Sequence, residues 1–144
     1  MIRAVLFDLD GTLADTAPDM ARTVNVMRER RALAPVALAL VRPHVSKGAR
    51  GMIGLAGMRC IESRPFPEMP ELLDASERRA LAWGVVTNKF ERFARPVMDG
   101  LGLAGGAAVI VGGGPSEGAK PFPDPLLHAA RELALEPASV LYVG

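Results

Sequence analysis

Four short runs of the chain are almost wholly apolar and rich in β-branched residues: IRAVLFD (2 to 8), WGVVTN (83 to 88), AAVIVGG (107 to 113) and SVLYVG (139 to 144). Apolar positions that are continuous rather than alternating mark strands covered on both faces, as in a parallel sheet. Between the later runs the apolar positions fall at helical spacing. PELLDASERRALA (70 to 82) opens with a proline suited to a first helical turn and sets Leu72, Leu73, Ala80 and Leu81 on one side. FERFARPVMDGLGL (90 to 103) closes in glycines that can end a helix, and Pro96 is expected to kink it or shift its start. PDPLLHAARELAL (123 to 135) repeats the proline start and brings Leu126, Leu127, Ala130 and Leu133 to one face. Strands alternating with helices of this length predict an α/β fold, a doubly wound parallel sheet with right-handed crossovers.

The rhythm breaks after the first run. About seventy-five residues lie between it and the second, where a crossover needs a dozen or more. Asp15 or Thr16 can cap a helix with Pro18 in its first turn, along which Met20, Val24 and Met27 form an apolar stripe and Arg28, Arg30 and Arg31 fall at the cation-favouring end. SKGARGMIGLAGM (46 to 58) is glycine-rich and reads as a loop leading into a short helix. Residues 16 to 65 are therefore expected to form a small helical cap over the sheet.

Composition narrows the classes. The 144 residues allow one domain with an insertion, and a formal charge of +1 lacks the basic excess of nucleic-acid binders. Cys60 is the single cysteine, which rules out an internal disulfide or a cysteine metal cluster and suits a reducing cytoplasm. No run has the uninterrupted length of a membrane span. The expectation is a soluble cytoplasmic protein, monomer or homodimer, with no nucleic-acid or membrane partner.

In open parallel sheets, ligands bind at the carboxyl ends of the strands. The residues there are Asp8 and Asp10 after the first run, Thr87 and Asn88 after the second, and Lys120 beyond the third. A carboxylate at the mouth of a buried strand is costly unless something uses it. Taken singly, these residues are turn formers or a solvated loop lysine; together they suit an anion that is to be attacked. GGPSEGAK is not a P-loop, since its lysine stands one place late and is followed by proline where that loop carries Ser or Thr. His44 and His128 read as surface or packing residues.

This set resembles the haloacid dehalogenase (HAD) superfamily of phosphohydrolases, and more closely its phosphoglycolate phosphatase branch. FDLDGTLADT matches the first family motif, VVTNK (85 to 89) the second and KPFPDPLL (120 to 127) the third, in order. The resemblance implies a HAD-like Rossmannoid parallel sheet with a small helical cap inserted after the first strand: a discontinuous core of residues 1–15 and 66–144, and a shortened cap of residues 16–65. It implies Mg²⁺-dependent hydrolysis of a small phosphorylated metabolite, 2-phosphoglycolate foremost. Asp8 would form an aspartyl phosphate, and Asp10 would protonate the leaving oxygen and then activate water. Mg²⁺ would rest on the Asp8 carboxylate and the Asp10 main-chain oxygen. Lys120 would offset the gathered negative charge, while Gly11, Thr87 and Asn88 would hold the phosphoryl group. In the cap, Ser46, Lys47 and Arg50 would face the site, where a cation suits the carboxylate of a phosphorylated acid. Asp10 also favours phosphoryl transfer over carbon–halogen cleavage.

Two departures from the family pattern stand out. The fourth motif, an acidic pair after the strand VLYVG, would begin past Gly144, and LAGMRCIESRPFPEMPELL returns to the core where further cap helices are usual. The chain thus reads as truncated at its C-terminus and in the cap, with weakened metal binding and an uncovered sheet edge expected. A sugar-phosphate mutase of the same superfamily and a catalytically inactive HAD-like fragment are the competing expectations.

Overall fold

The first apolar run becomes β1 (Ala4–Phe7), which takes a central place because both of its faces are apolar. In the computed structural model, which describes residues 1–47, 62–114 and 118–144, β1 lies between β4 (Ala82–Phe90) and β6 (Val140–Val143), with β5 (Val109–Gly113) beyond β4. All three pairings are parallel, with Leu6 opposite Gly84 on one side and Tyr142 on the other. Phe7, Trp83 and Val85 are buried with Ala94, Val97 and Met98, whereas Leu6, Val86 and Val111 are buried with Ala129. Coverage on both faces is what the unbroken apolar runs predict. The exception is β6 at the edge, where Leu141 and Val143 are exposed.

Three helices carry the later crossovers: α3 (Met69–Arg78), α4 (Glu91–Gly100) and α5 (Asp124–Glu132). Each is shorter than its sequence pattern predicts, and the ends show why. Ala80 takes φ +54° as the chain turns from α3 into β4, and Leu81 N–H closes the turn on Ser76 C=O at 3.0 Å. Ala80 is therefore exposed beyond the helix rather than on its buried side. Leu72 and Leu127 are exposed too, leaving Leu73 as the anchor of α3 and Pro125, Ala129 and Ala130 as those of α5. Helix α4 runs through Pro96 and is followed by Gly102 at φ +71°, the glycine stop expected there.

Ala80 and Ala134, at φ +54° and +52°, hold left-handed positions that cost an L-residue with a Cβ. Ala80→Gly and Ala134→Gly are each expected to raise stability by about 0.5–1 kcal/mol, the relieved strain exceeding the added chain entropy. Urea unfolding of the two variants beside the parent chain checks this.

After β1 the chain leaves the sheet through β2 (Ala14–Asp15) and enters α1 (Ala17–Glu29), with Thr16 at its N-cap position. Met20 is buried, and Val24 and Met27 are half-buried along the expected stripe. A short helix, α2 (Leu38–Val41), and a 3₁₀ turn (Arg42–Lys47) follow. The chain returns through β3 (Arg64–Pro65), which pairs antiparallel with β2. Exit and return are clamped by Asp19 of α1, only 1% exposed, whose carboxylate accepts from the main-chain N–H groups of Glu62 and Ser63 and from Ser63 Oγ at 2.6 Å. The sequence pattern anticipates neither this ribbon nor α2. The expected glycine-rich loop and helix of residues 46 to 58 lie outside the described residues beyond Lys47. Among the described residues no helix is long and apolar enough to cross a membrane.

Candidate active site

Asp8 is the first residue past β1, its N–H bonded to Val143 C=O of β6 at 2.9 Å. One carboxylate oxygen, Oδ1, accepts from Leu9 N–H at 2.8 Å and from Lys120 Nζ at 2.8 Å. Among the described residues both donors are on Oδ1, and Oδ2 is left clear. Gly11 lets the chain turn back, at φ +83°, and its N–H donates to Ala14 C=O at 2.9 Å. That N–H is thus used inside the loop, so Gly11 shapes the turn that presents Asp10.

Lys120 is nearly enclosed and spends its ammonium on three oxygens: Asp8 Oδ1, Val86 C=O at 2.8 Å and Tyr142 Oη at 2.6 Å. Three acceptors match the three donors of an ammonium, so the cation is fixed in place. Asn88 fixes the main chain around it, accepting from Lys120 N–H through Oδ1 at 2.8 Å and donating through Nδ2 to Lys120 C=O at 3.0 Å. Asn88, expected against substrate, has its amide committed to Lys120. Asn88→Ala is expected to lower turnover by about tenfold with little change in melting temperature, through a loosened Lys120, since a small misplacement in an active site is costly; steady-state kinetics with a thermal melt checks it.

Thr87 is buried within β4, three residues before its end at Phe90, and its Oγ1 accepts from Lys89 N–H at 3.2 Å. Asp10 has two partners on its Oδ1: Thr16 Oγ1 donates at 2.5 Å, and Lys89 Nζ lies at 3.1 Å. The structure thus gathers Asp8, Asp10, Thr87, Asn88 and Lys120 at the carboxyl end of the sheet. Lys47 belongs to the 3₁₀ turn whose first residue, Arg42, makes a two-pronged ion pair with Asp15 at 2.9 and 3.0 Å. Arg50 lies outside the described residues.

Sequence reasoning assigns no role at the site to Lys89, Tyr142 or Thr16. Lys89 stands inside the second motif and Tyr142 inside VLYVG, but neither position is marked as functional by residue type or spacing.

For a divalent cation, the fit rests on the donor set. The loop's internal bonds use the carbonyls of Asp8, Leu9 and Ala14, and among the described residues that of Asp10 is not one of them. A clear Asp8 Oδ2 and the Asp10 carbonyl are hard oxygen donors of the kind Mg²⁺ takes, together with water and phosphate. Among the described residues no group of three or more His, Cys, Asp or Glu side chains forms a metal cage.

Residues 2–144 match the family of haloacid dehalogenase-like hydrolases. The chain belongs to that family. Among curated relatives, this HAD-like hydrolase is 41% identical over 165 residues to an N-acetylmuramic acid 6-phosphate phosphatase of Pseudomonas aeruginosa, an alignment covering 99% of this chain and 73% of that protein. It is 39% identical over 163 residues to a phosphoglycolate phosphatase of Xylella fastidiosa, covering 99% and 71%. Among solved structures, that of a predicted phosphoglycolate phosphatase from Haemophilus somnus superposes with a TM-score of 0.81 at 24% identity, covering 99% and 76%. These matches bear out the α/β fold with its parallel sheet and the expectation of a phosphoric monoester hydrolase.

Proposed function

We propose that this HAD-like phosphatase is Mg²⁺-dependent and acts on phosphate monoesters of small carboxylic acids, with 2-phosphoglycolate as the leading substrate. The observation that carries the reading is the anchored Lys120 on Asp8 Oδ1, which leaves the other oxygen of a carboxylate at a strand end clear for attack on phosphorus. Relatives named for phosphoglycolate and for N-acetylmuramic acid 6-phosphate support the substrate class, because both compounds join a phosphate ester to a carboxylate. N-acetylmuramic acid 6-phosphate is the second candidate for that reason. Lys47 and Arg50 are proposed to meet the carboxylate, and residues 16–65 to act as the lid over a core of residues 1–15 and 66–144.

In this reading Asp8 displaces the alcohol from phosphorus and holds the phosphoryl group as an acyl phosphate. Asp10 gives a proton to the leaving oxygen and later removes one from the water that releases phosphate. Lys120 opposes the charge that gathers on Asp8 and the phosphoryl oxygens, and Thr87 directs its hydroxyl to those oxygens. Charge balance supports a metal. The Asp8–Lys120 pair cancels, and with Asp10 holding its proton Lys89 leaves one positive charge, so a phosphate ester carrying about two negative charges still brings a surplus of about one. When bound, Mg²⁺ on the Asp8 carboxylate and Asp10 carbonyl supplies the opposing charge and polarises the phosphoryl group. The single cysteine fits work in a reducing cytoplasm.

Phosphate release by the purified chain from 2-phosphoglycolate and N-acetylmuramic acid 6-phosphate, with Mg²⁺ and with EDTA, tests the proposal. Mg²⁺-dependent release from either ester is the expected result. Phosphoryl transfer to a sugar phosphate without phosphate release would instead identify a mutase, and inertness of the folded chain toward both would overturn the reading.

A further inference from the structure

Lys89 has no task in the chemistry described so far, yet it is built into the site. Its side chain is 6% exposed and ends 3.1 Å from Oδ1 of Asp10, itself 11% exposed. Enclosing an ammonium so fully is costly unless it is paired. The backbone is irregular at this place. Strand β4 takes four residue steps from Val86 to Phe90 while β5 takes two from Val111 to Gly113, so two extra residues bulge out of β4. Bulges re-aim side chains next to active sites, and here Lys89 N–H is secured by Thr87 Oγ1. Glycines on β5 make room. A Cβ on Gly113 would stand 2.7 Å from Asn88 C=O, and one on Gly112 would collide with Glu91 Cα.

We infer that Lys89 is a positioning residue for proton transfer: with Thr16 it grips Oδ1 of Asp10, so that Oδ2 carries the proton destined for the leaving oxygen. The inference rests on the phosphatase reading, in which Asp10 is the acid. In the first half-reaction a bond forms between Asp8 and phosphorus and the ester P–O bond breaks. Its electron pair stays on the departing oxygen, which takes the proton from Asp10. Negative charge appears on Asp10 in that step, 3.1 Å from a cation already in place, so no reorganisation is needed to stabilise it. Lys89 keeps its own protons throughout.

An alkoxide leaves poorly without a proton, whereas a nitrophenolate leaves without one. The test compares kcat/KM for 2-phosphoglycolate, or whichever alkyl phosphate the chain turns over fastest, with kcat/KM for 2,4-dinitrophenyl phosphate. This quantity reports steps only through departure of the leaving group. Lys89→Met is expected to lose about 30-fold on the alkyl ester and less than about threefold on the aryl ester, a part of the about 10²–10⁴-fold that general acid catalysis supplies, since Asp10 itself remains. Lys89→Arg should recover most of the loss. Equal losses on both esters, or no loss on either, would overturn the inference. Asp10→Asn separates the two levels. If it shows no leaving-group bias, the assignment of Asp10 as acid fails; if it does and Lys89→Met does not, only the role of Lys89 falls. Lys89→Gln takes the place of Lys89→Met if the latter does not fold, and a parent chain inert on both esters overturns the phosphatase reading and this inference together.

Discussion

Asp8→Asn is expected to lower phosphate release by at least about 10⁴-fold while leaving the fold intact, as befits loss of a covalent nucleophile. The amide keeps an acceptor oxygen where Oδ1 stands, so Leu9 N–H and Lys120 Nζ retain a partner. Asn has almost the same volume, and the residue lies at the site's mouth, 24% exposed, rather than in the core. What the substitution removes is the negative oxygen able to form an acyl phosphate. A burst assay with a chromogenic phosphate ester, beside a thermal melt, is the measurement. Turnover within tenfold of the parent would mean that phosphorus is attacked by some other group.

Lys120→Met should cost about 10³-fold in kcat, at the upper end of what one preorganised charge stabiliser is worth. The ammonium answers Asp8, Val86 C=O and Tyr142 Oη at once, so no neighbouring side chain can take over all three contacts. Methionine fills the space left by the aliphatic stem but leaves Asp8 and the incoming phosphate to repel one another. That repulsion grows as the acyl phosphate forms, so kcat falls further than ground-state affinity. A loss confined to KM would recast Lys120 as a simple anchor for bound phosphate. Comparison with Asn88→Ala is informative, because the Asn88 amide holds the main chain of Lys120 through both its oxygen and its nitrogen.

The strand cores were legible because burial on two faces leaves a plain trace: Leu6, Val86 and Val111 face one side of the sheet, Phe7 and Val85 the other, and all are apolar. The site was legible as far as it consists of residues at strand ends. Asp8, Asp10, Thr87 and Lys120 could be assembled from the rule that parallel sheets bind ligands at their carboxyl edges. The limits were backbone features with no composition signal. Helix α3 stops where Ala80 adopts a left-handed conformation that alanine does not advertise. The extra residues in β4, which carry Lys89 to Asp10, follow from strand registry that a linear pattern does not encode. The β2–β3 ribbon joins two-residue strands some fifty positions apart, too short for any periodicity to register.

The Asp19 clamp bears on how this protein can change over evolutionary time. With the N–H groups of Glu62 and Ser63 held on α1, the chain between Asp19 and Glu62 has its two ends already joined. Lengthening a segment closed in this way is cheap, about 0.6 kcal/mol for each doubling of a flexible length. With residues 16–65 acting as the proposed lid, insertion or deletion between the clamped ends would alter substrate preference while the Asp8–Lys120 and Asp10–Lys89 pairs stay unchanged.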